Sequence, residues 1–208
     1  MSSNLSFPSA ERVKCNAVEM HIAENFLNKK ECEKLIVLIK KNLQPSKITT
    51  STKETNKNLR ISQTSHLNSN DDQIIKDLDQ KISSILGINL AYSETTQGQY
   101  YQKGGHFKPH TDYFNASADV HQKMLAEQGQ RTWTFMIYLN EPKAGGVTVF
   151  PVLNKSFSPR LGMALFWNNL DSEGNENEAT LHHATPVIEG EKFIITKWFR
   201  SLSESGIL

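Results

Sequence analysis

Residues 101–114 read Tyr101-Gln-Lys-Gly-Gly-His-Phe-Lys-Pro-His110-Thr-Asp112-Tyr-Phe114. The Gly-Gly pair marks a turn, and the run after it, about 105–111, has the length and bounding residues of a short strand. Residues two apart on a strand point to one face, so His110 and Asp112 can grip one ion together. Working outward, short β-type runs recur at about 89–101, 132–139, 147–150, 162–167, 180–187 and 192–199, separated by Gly, Pro and Asn. Many short strands with turn signals between them predict a sandwich or jelly roll. The insertion at 114–130 interrupts the series and is expected to form a short helix or a lid.

Upstream the pattern is helical. Met20-His21-Ile22-Ala23, leading into Asn25-Phe26-Leu27, reads as a short strand. Asn28 followed by Glu31 has the shape of a capping box and opens a helix to about Leu43. Its apolar positions Cys32, Leu35, Ile36, Ile39 and Leu43 share one face. A second amphipathic helix is expected over about 71–86, with Ile74, Ile75, Leu78, Ile82, Ile85 and Leu86 on its apolar side. Residues 44–70 are polar and poor in large apolar groups, which predicts a mobile loop or edge segment. Residues 1–19 read as a flexible arm, leaving 20–208 as a single domain. The class is α+β: a β-sandwich buttressed on one face by N-terminal helices.

Composition narrows the function. In 208 residues, 23 Lys plus Arg stand against 22 Asp plus Glu, so no global electrostatic footprint for nucleic acid or an anionic membrane exists. Two cysteines, Cys15 and Cys32, are too few for a disulfide framework, and Cys32 lies on the apolar helical stripe. Residues 1–20 lack the apolar run of a signal peptide, and no stretch is long enough to span a membrane. A reducing, cytoplasmic setting is the expectation. As to assembly, the sequence is compatible with a monomer or a homodimer.

A metal held by His110 and Asp112 needs a third ligand, and the chain offers His182 or His183. Neighbours on a strand face opposite ways, so only one of them can join. Two histidines and a carboxylate suit the facial triad of non-haem iron(II) oxygenases. Zinc, with a water in the fourth position, is the other assignment that the residues allow. Lys192 stands at the mouth of the run Lys192-Phe193-Ile194-Ile195-Thr196-Lys197-Trp198. A lysine so placed can pair with a ligand carboxylate.

The segment 101–114 resembles the metal-binding strand of prolyl 4-hydroxylases, and further segments continue the resemblance in order. These are Arg131-Thr-Trp-Thr134 with Phe-Met-Ile-Tyr-Leu-Asn140, Gly145-Gly-Val-Thr148-Val-Phe-Pro151, Pro159-Arg-Leu-Gly162 with Ala164-Leu-Phe-Trp167, Leu181-His182-His-Ala-Thr-Pro186-Val187, Gly190-Glu-Lys192 and Thr196-Lys-Trp198. Asn25-Phe26-Leu27 and Leu59-Arg60-Ile61-Ser62 also fit, so the resemblance covers about residues 20–200. It implies a double-stranded β-helix, or jelly-roll, core. It implies an iron(II)- and 2-oxoglutarate-dependent dioxygenase that uses O2, with ascorbate as reductant. The reaction it implies is hydroxylation of a peptidyl residue, proline at C4 above all, coupled to decarboxylation of 2-oxoglutarate to succinate and CO2. Carried over by position, His110, Asp112 and His182 are the iron ligands, and Lys192 pairs with the distal carboxylate of 2-oxoglutarate. Tyr101 and Thr148 help to hold that cosubstrate, Trp198 lies near the same pocket, and Arg131 and Trp198 face the substrate. Phe107, His183, Thr185 and Phe193 depart from the family pattern and bear on substrate fit rather than on the chemistry.

Within that resemblance the implied partner is a proline-containing peptide or protein, over which the segments 44–70 and 114–130 could close. The same chemistry on a free amino acid, a lysyl side chain or a small molecule uses the same site residues. A catalytically silent binding module is the remaining alternative, and it would normally lack a ligand or the cosubstrate cation.

Overall fold

The computed structural model describes residues 10–47 and 59–202. Strands β1 (Glu11–Arg12) and β2 (Met20–Ala23) precede helix α1 (Lys29–Lys41). Asn28 Oδ1 accepts from the Glu31 amide at 3.0 Å, and Glu31 Oε2 accepts from the Asn28 amide at 2.7 Å. This reciprocal cap satisfies two of the backbone donors that a helix start leaves unpaired. Strands β3 (Gln44–Pro45), β4 (Arg60–Ile61) and β5 (Gln63–Leu67) lead to α2 (Gln73–Leu86). Asp72 caps α2 through the Ile74 amide, and Gly87, at φ 67°, ends it in the left-handed conformation.

Next come β6 (Thr96–Tyr101), β7 (His106–His110), α3 (Asp119–Gln128) and β8 (Arg131–Tyr138). The chain continues through β9 (Ala144–Gly145), β10 (Thr148–Phe150), β11 (Lys155–Phe157) and β12 (Ala164–Asn168). It closes with β13 (His182–Ala184), β14 (Val187–Glu189) and β15 (Lys192–Arg200).

Eight strands form one sheet in the order β1-β2-β12-β8-β15-β6-β5-β3, and five form a second in the order β11-β10-β13-β7-β4. Their non-consecutive neighbours give the jelly-roll arrangement. Alternation along the central strands explains the layers. Phe135 and Ile137 of β8, Phe166 of β12, and Phe193, Ile195 and Phe199 of β15 join the buried faces of α1 and α2 in one core cluster. Met136, Tyr138, Leu165, Trp167 and Ile194 point the other way and meet Phe150 and Phe157 of the second sheet. Every residue of β15 is buried, since helices cover one face and the second sheet covers the other. Gly98 lets α1 approach closely: a Cβ there would collide with the Ile39 side chain.

One ion pair crosses the helix layer. Lys197 Nζ lies 2.9 Å from Asp79 Oδ2, both side chains being buried, and Thr96 Oγ1 donates to Asp79 Oδ1 at 2.6 Å. Truncating one partner of a buried pair leaves the other charge uncompensated. Asp79→Ala is expected to lower the free energy of unfolding by about 3 kcal/mol, as read by denaturant titration.

The structure departs from the sequence reading in four places. Of the flexible arm expected over 1–19, residues 1–9 lie outside the described residues, whereas Glu11–Arg12 pairs with His21–Ile22 and Val18 is buried. Of the mobile loop expected over 44–70, residues 48–58 lie outside the described residues, and much of the rest forms strands. Polar β5 is stable because its backbone pairs with β6, while Ser46, Ser62 and Thr64 bond to one another through their hydroxyls at 2.7–2.8 Å. The run 89–101 is strand only from Thr96, because Asn89 caps a single 3-10 turn at Leu90–Tyr92. The run 180–187 is broken before Pro186 into β13 and β14. The insertion 114–130 carries α3, a helix without a buried residue.

Candidate active site

β7 and β13 lie side by side with His110 opposite His182, while Phe107 is opposite Ala184. Two residues of β7, Lys108 and Pro109, thus lie opposite one of β13, His183, a bulge of the kind that re-aims side chains. It brings the Phe107 ring flat against His110, with centroids 3.5 Å apart. His182 is buried between Phe150, stacked at 5.2 Å, and Trp167, edge-on at 5.0 Å.

His110, Asp112 and His182 converge, their donor atoms all within 4.8 Å of one another. Among the described residues this is the one group so arranged. His110 Nε2 is 3.7 Å from Asp112 Oδ1, and His182 Nε2 is 3.9 Å from Asp112 Oδ2. Ligand atoms at about 2.1 Å from one ion lie no more than ~4.2 Å apart, so a closure of tenths of an ångström suffices. The other ring nitrogens settle the tautomer. His110 Nδ1 is 2.8 Å from the Lys108 carbonyl and His182 Nδ1 is 3.0 Å from the Thr180 carbonyl. A carbonyl can only accept, so Nδ1 carries the proton and Nε2 presents its lone pair to the ion.

Electrostatics favour the ligating forms. Burial, followed by the neighbouring His182, pushes His110 down to about 3, which keeps its imidazole neutral. Burial alone would raise the Asp112 carboxyl, but His182, His110 and the Arg131 guanidinium outweigh it and hold the group below the usual carboxylate range. Two imidazoles that turn Nε2 inward and one carboxylate, lining one cavity, form a donor set suited to iron(II).

His183, the other histidine weighed from sequence, is paired with Val149 on β10 and gives no atom to the cluster. Lys192, Tyr101, Thr148 and Trp198 all line the cavity that holds the three metal-ligating candidates. Lys192 is 1% exposed, its Nζ donates to the Gly146 carbonyl at 2.7 Å, and burial pushes its pKa down to about 7. Tyr101 is buried and donates to Gln99 Oε1 at 2.9 Å. Thr148 Oγ1 accepts from the Tyr138 hydroxyl at 2.7 Å, so its own proton is free to point into the cavity.

Arg131 lies outside that cavity, in an adjoining groove with Trp198. Two bonds of 2.6 and 2.7 Å bind its guanidinium to Glu94, and it stacks over Trp198 at 4.0 Å. Sequence reasoning missed Glu94, Tyr138 and Gln99, polar residues with no spacing signal of their own. It also missed Thr134, whose hydroxyl donates to Asp112 Oδ2 at 2.8 Å and accepts from Asn169 Nδ2 at 2.9 Å. Such supports orient a ligand, and their loss typically weakens metal affinity about 10- to 100-fold. Thr134→Val, nearly equal in volume, is expected to weaken anaerobic iron(II) binding by that factor while the fold persists, as calorimetry would show.

The comparisons with known proteins agree with this geometry. Residues 96–200 match the model of the 2OG-Fe(II) oxygenase superfamily. The chain is 32% identical over 198 residues to the probable prolyl 4-hydroxylase 3 of Arabidopsis thaliana, covering 85% of this chain and 67% of that one. It is 35% identical over 140 residues to the prolyl 4-hydroxylase subunit alpha-2 of Gallus gallus, covering 67% of this chain but 26% of the relative. The chain thus spans about a quarter of the length of that animal relative. Its fold superimposes on the viral collagen prolyl hydroxylase of Paramecium Bursaria Chlorella virus-1, solved with 2OG, at a TM-score of 0.69 and 24% identity, covering 88% of this chain and 96% of that one. From the match over β6–β15, and from the triad and buried lysine that those strands carry, the chain belongs to the 2OG-Fe(II) oxygenase superfamily.

Proposed function

We propose that this protein hydroxylates a peptidyl proline at C4, with 2-oxoglutarate as cosubstrate and ascorbate as reductant. The observation that carries the reading is a single cavity with the His110-Asp112-His182 cluster at one end and the buried Lys192 amine within its walls. The names of the relatives, prolyl 4-hydroxylases of plant and animal, supply the residue and the position.

When bound, iron(II) and 2-oxoglutarate would supply the oxidising chemistry with O2, one oxygen atom entering the substrate C–H bond and the other entering succinate as 2-oxoglutarate loses CO2. The chain's own residues hold and shield it. His110, Asp112 and His182 would hold the ion through three protein atoms, which suits a metal that must also take cosubstrate and O2. Lys192, protonated, neutralises the far carboxylate of 2-oxoglutarate in a dry pocket, where a charged hydrogen bond is strong. Thr148 donates its free proton to the same carboxylate, and Tyr101 flanks it. Trp198 lines both the cavity and the groove, so it stands where the substrate proline meets the metal, with Arg131 behind it. Two free thiols, Cys15 and Cys32, suit a reducing, cytoplasmic setting. No helix among the described residues is long and apolar enough to cross a membrane.

The test is peptide-stimulated conversion of 2-oxoglutarate to succinate with iron(II) and ascorbate. A proline-rich peptide is expected to raise succinate output and to gain 16 Da at proline. Stimulation only by free amino acids, lysyl peptides or small molecules would overturn the prolyl assignment and keep the oxygenase.

A further inference from the structure

The groove beyond the metal cluster, about 400 Å³ in volume, carries a charge pattern that the hydroxylase reading does not use. Its lining includes Lys47, Arg60, Lys108 and Arg131, while Asp112 is its one carboxylate. Asp112 is already engaged by the histidines and by Thr134. Glu94 compensates Arg131 and is shared with Arg200 at 3.1 Å. Lys47, Arg60 and Lys108, by contrast, form no ion pair among the described residues. Among the described residues, three cations without an ion pair thus line one groove whose single carboxylate is already engaged.

The charged group of one of these residues is held in place, and so is the backbone that carries a second. Arg60 Nε donates to Ser62 Oγ at 2.7 Å, and its guanidinium lies 4.7 Å over the Phe107 ring. Lys108 sits in the β7 bulge, its amide bonded to the Leu59 carbonyl at 2.8 Å and its carbonyl to His110. Its side chain is exposed. Two residues of extended chain span at most about 7 Å, so the Lys108 backbone is within that reach of a metal ligand. An extended substrate has the same rise, which puts this cation opposite a residue about two or three positions from the reacting proline.

We propose that the groove selects an acidic peptide segment, with Asp or Glu about two or three residues from the hydroxylated proline facing Lys108 and Lys47. The inference rests on the hydroxylase reading and deepens it by giving the substrate's charge. Solvent-exposed pairs are individually weak and screened by salt, so the preference is modest and depends on ionic strength. It acts on encounter and register more than on chemistry.

The experiment is fluorescence anisotropy with a labelled proline-rich peptide carrying Asp and Glu on both sides of proline, against its Asn and Gln twin. A labelled oligothymidine is run beside them, at low and at high salt, on the wild-type protein and on Lys108→Glu. The acidic peptide is expected to bind roughly five- to tenfold tighter at low salt, with the preference shrinking at high salt. Lys108→Glu, at an exposed position, is expected to erase or reverse that preference with an unchanged melting temperature. Equal binding of the twins, or a preference that survives charge reversal, overturns the proposal. So does oligothymidine binding more tightly than the acidic peptide, which would assign the cations to nucleic acid. The succinate assay separates the failures. Equal stimulation by both twins removes the charge preference and leaves the hydroxylase. No stimulation by either twin, with free amino acids active, removes both.

Discussion

His182→Ala eliminates tight iron(II) binding and reduces succinate formation to below about one-thousandth of wild type, whereas His183→Ala leaves iron binding unchanged. Loss of a supporting residue alone costs 10- to 100-fold in metal affinity, so loss of one of only three protein ligands costs more. The two histidines are adjacent in sequence, and β-strand alternation sends them to different surroundings. His182 is buried against Phe150 and Trp167, with its Nδ1 tied to Thr180 and its Nε2 turned to Asp112. His183 opposes Val149 and lies outside the cluster. Anaerobic iron(II) titration checks the metal, and a succinate assay checks turnover. Equal loss in both variants would mean that the strand register near the metal is wrong. Retained iron in His182→Ala, with iron lost in His183→Ala, would move the third ligand by one residue.

That one-residue question shows how far the sequence could be read. From the residues alone His182 and His183 were equal candidates, and only the resemblance to a known family favoured the first. Geometry decides between them because the bulge in β7 shifts the pairing between His182 and Ala184. A bulge leaves no mark on apolar alternation, which is why it was not legible. The central strands were legible for the opposite reason. β8 and β15 are bounded by Gly, Asn and Glu and filled with aromatic and branched residues, so their existence follows from composition. The cap of α1 was legible because Asn28 and Glu31 act within one turn. The polar strand β5 was not, because its stability comes from distant partners: hydroxyls at Ser46, and the backbone of β6. The same division holds in the site. His110-x-Asp112 is local and could be seen, whereas the supports Thr134 and Asn169, and Glu94 between two arginines, are assembled from separate segments.

Lys192→Met raises the dissociation constant for 2-oxoglutarate about 10²- to 10³-fold with iron binding retained, and 2-oxoglutarate binding by the wild type weakens as pH rises above 7. Met keeps much of the buried volume and removes the ammonium, together with its bond to the Gly146 carbonyl. A carboxylate that enters the pocket then lacks its cationic partner in a dry site, a loss of about 3–4 kcal/mol, which converts to that factor. The pH dependence follows from burial, which pushes the Lys192 ammonium from 10.5 down to about 7 in the cosubstrate-free protein. Between those two values the unfolded chain binds a proton that the folded chain does not, so this residue's contribution to stability rises with pH from 7 towards 10.5. Binding runs the opposite way. The dianion selects the protonated amine, so above pH 7 it must bring a proton in with it. Affinity is therefore constant below about pH 6 and about tenfold weaker at pH 8. Calorimetry in buffers of different ionisation enthalpy counts that proton directly, and it should approach one per cosubstrate at pH 8. No proton taken up and a flat affinity from pH 6 to 8 would show that Lys192 does not meet the carboxylate. Proton uptake that survives in Lys192→Met would move the role to another titrating group in the pocket.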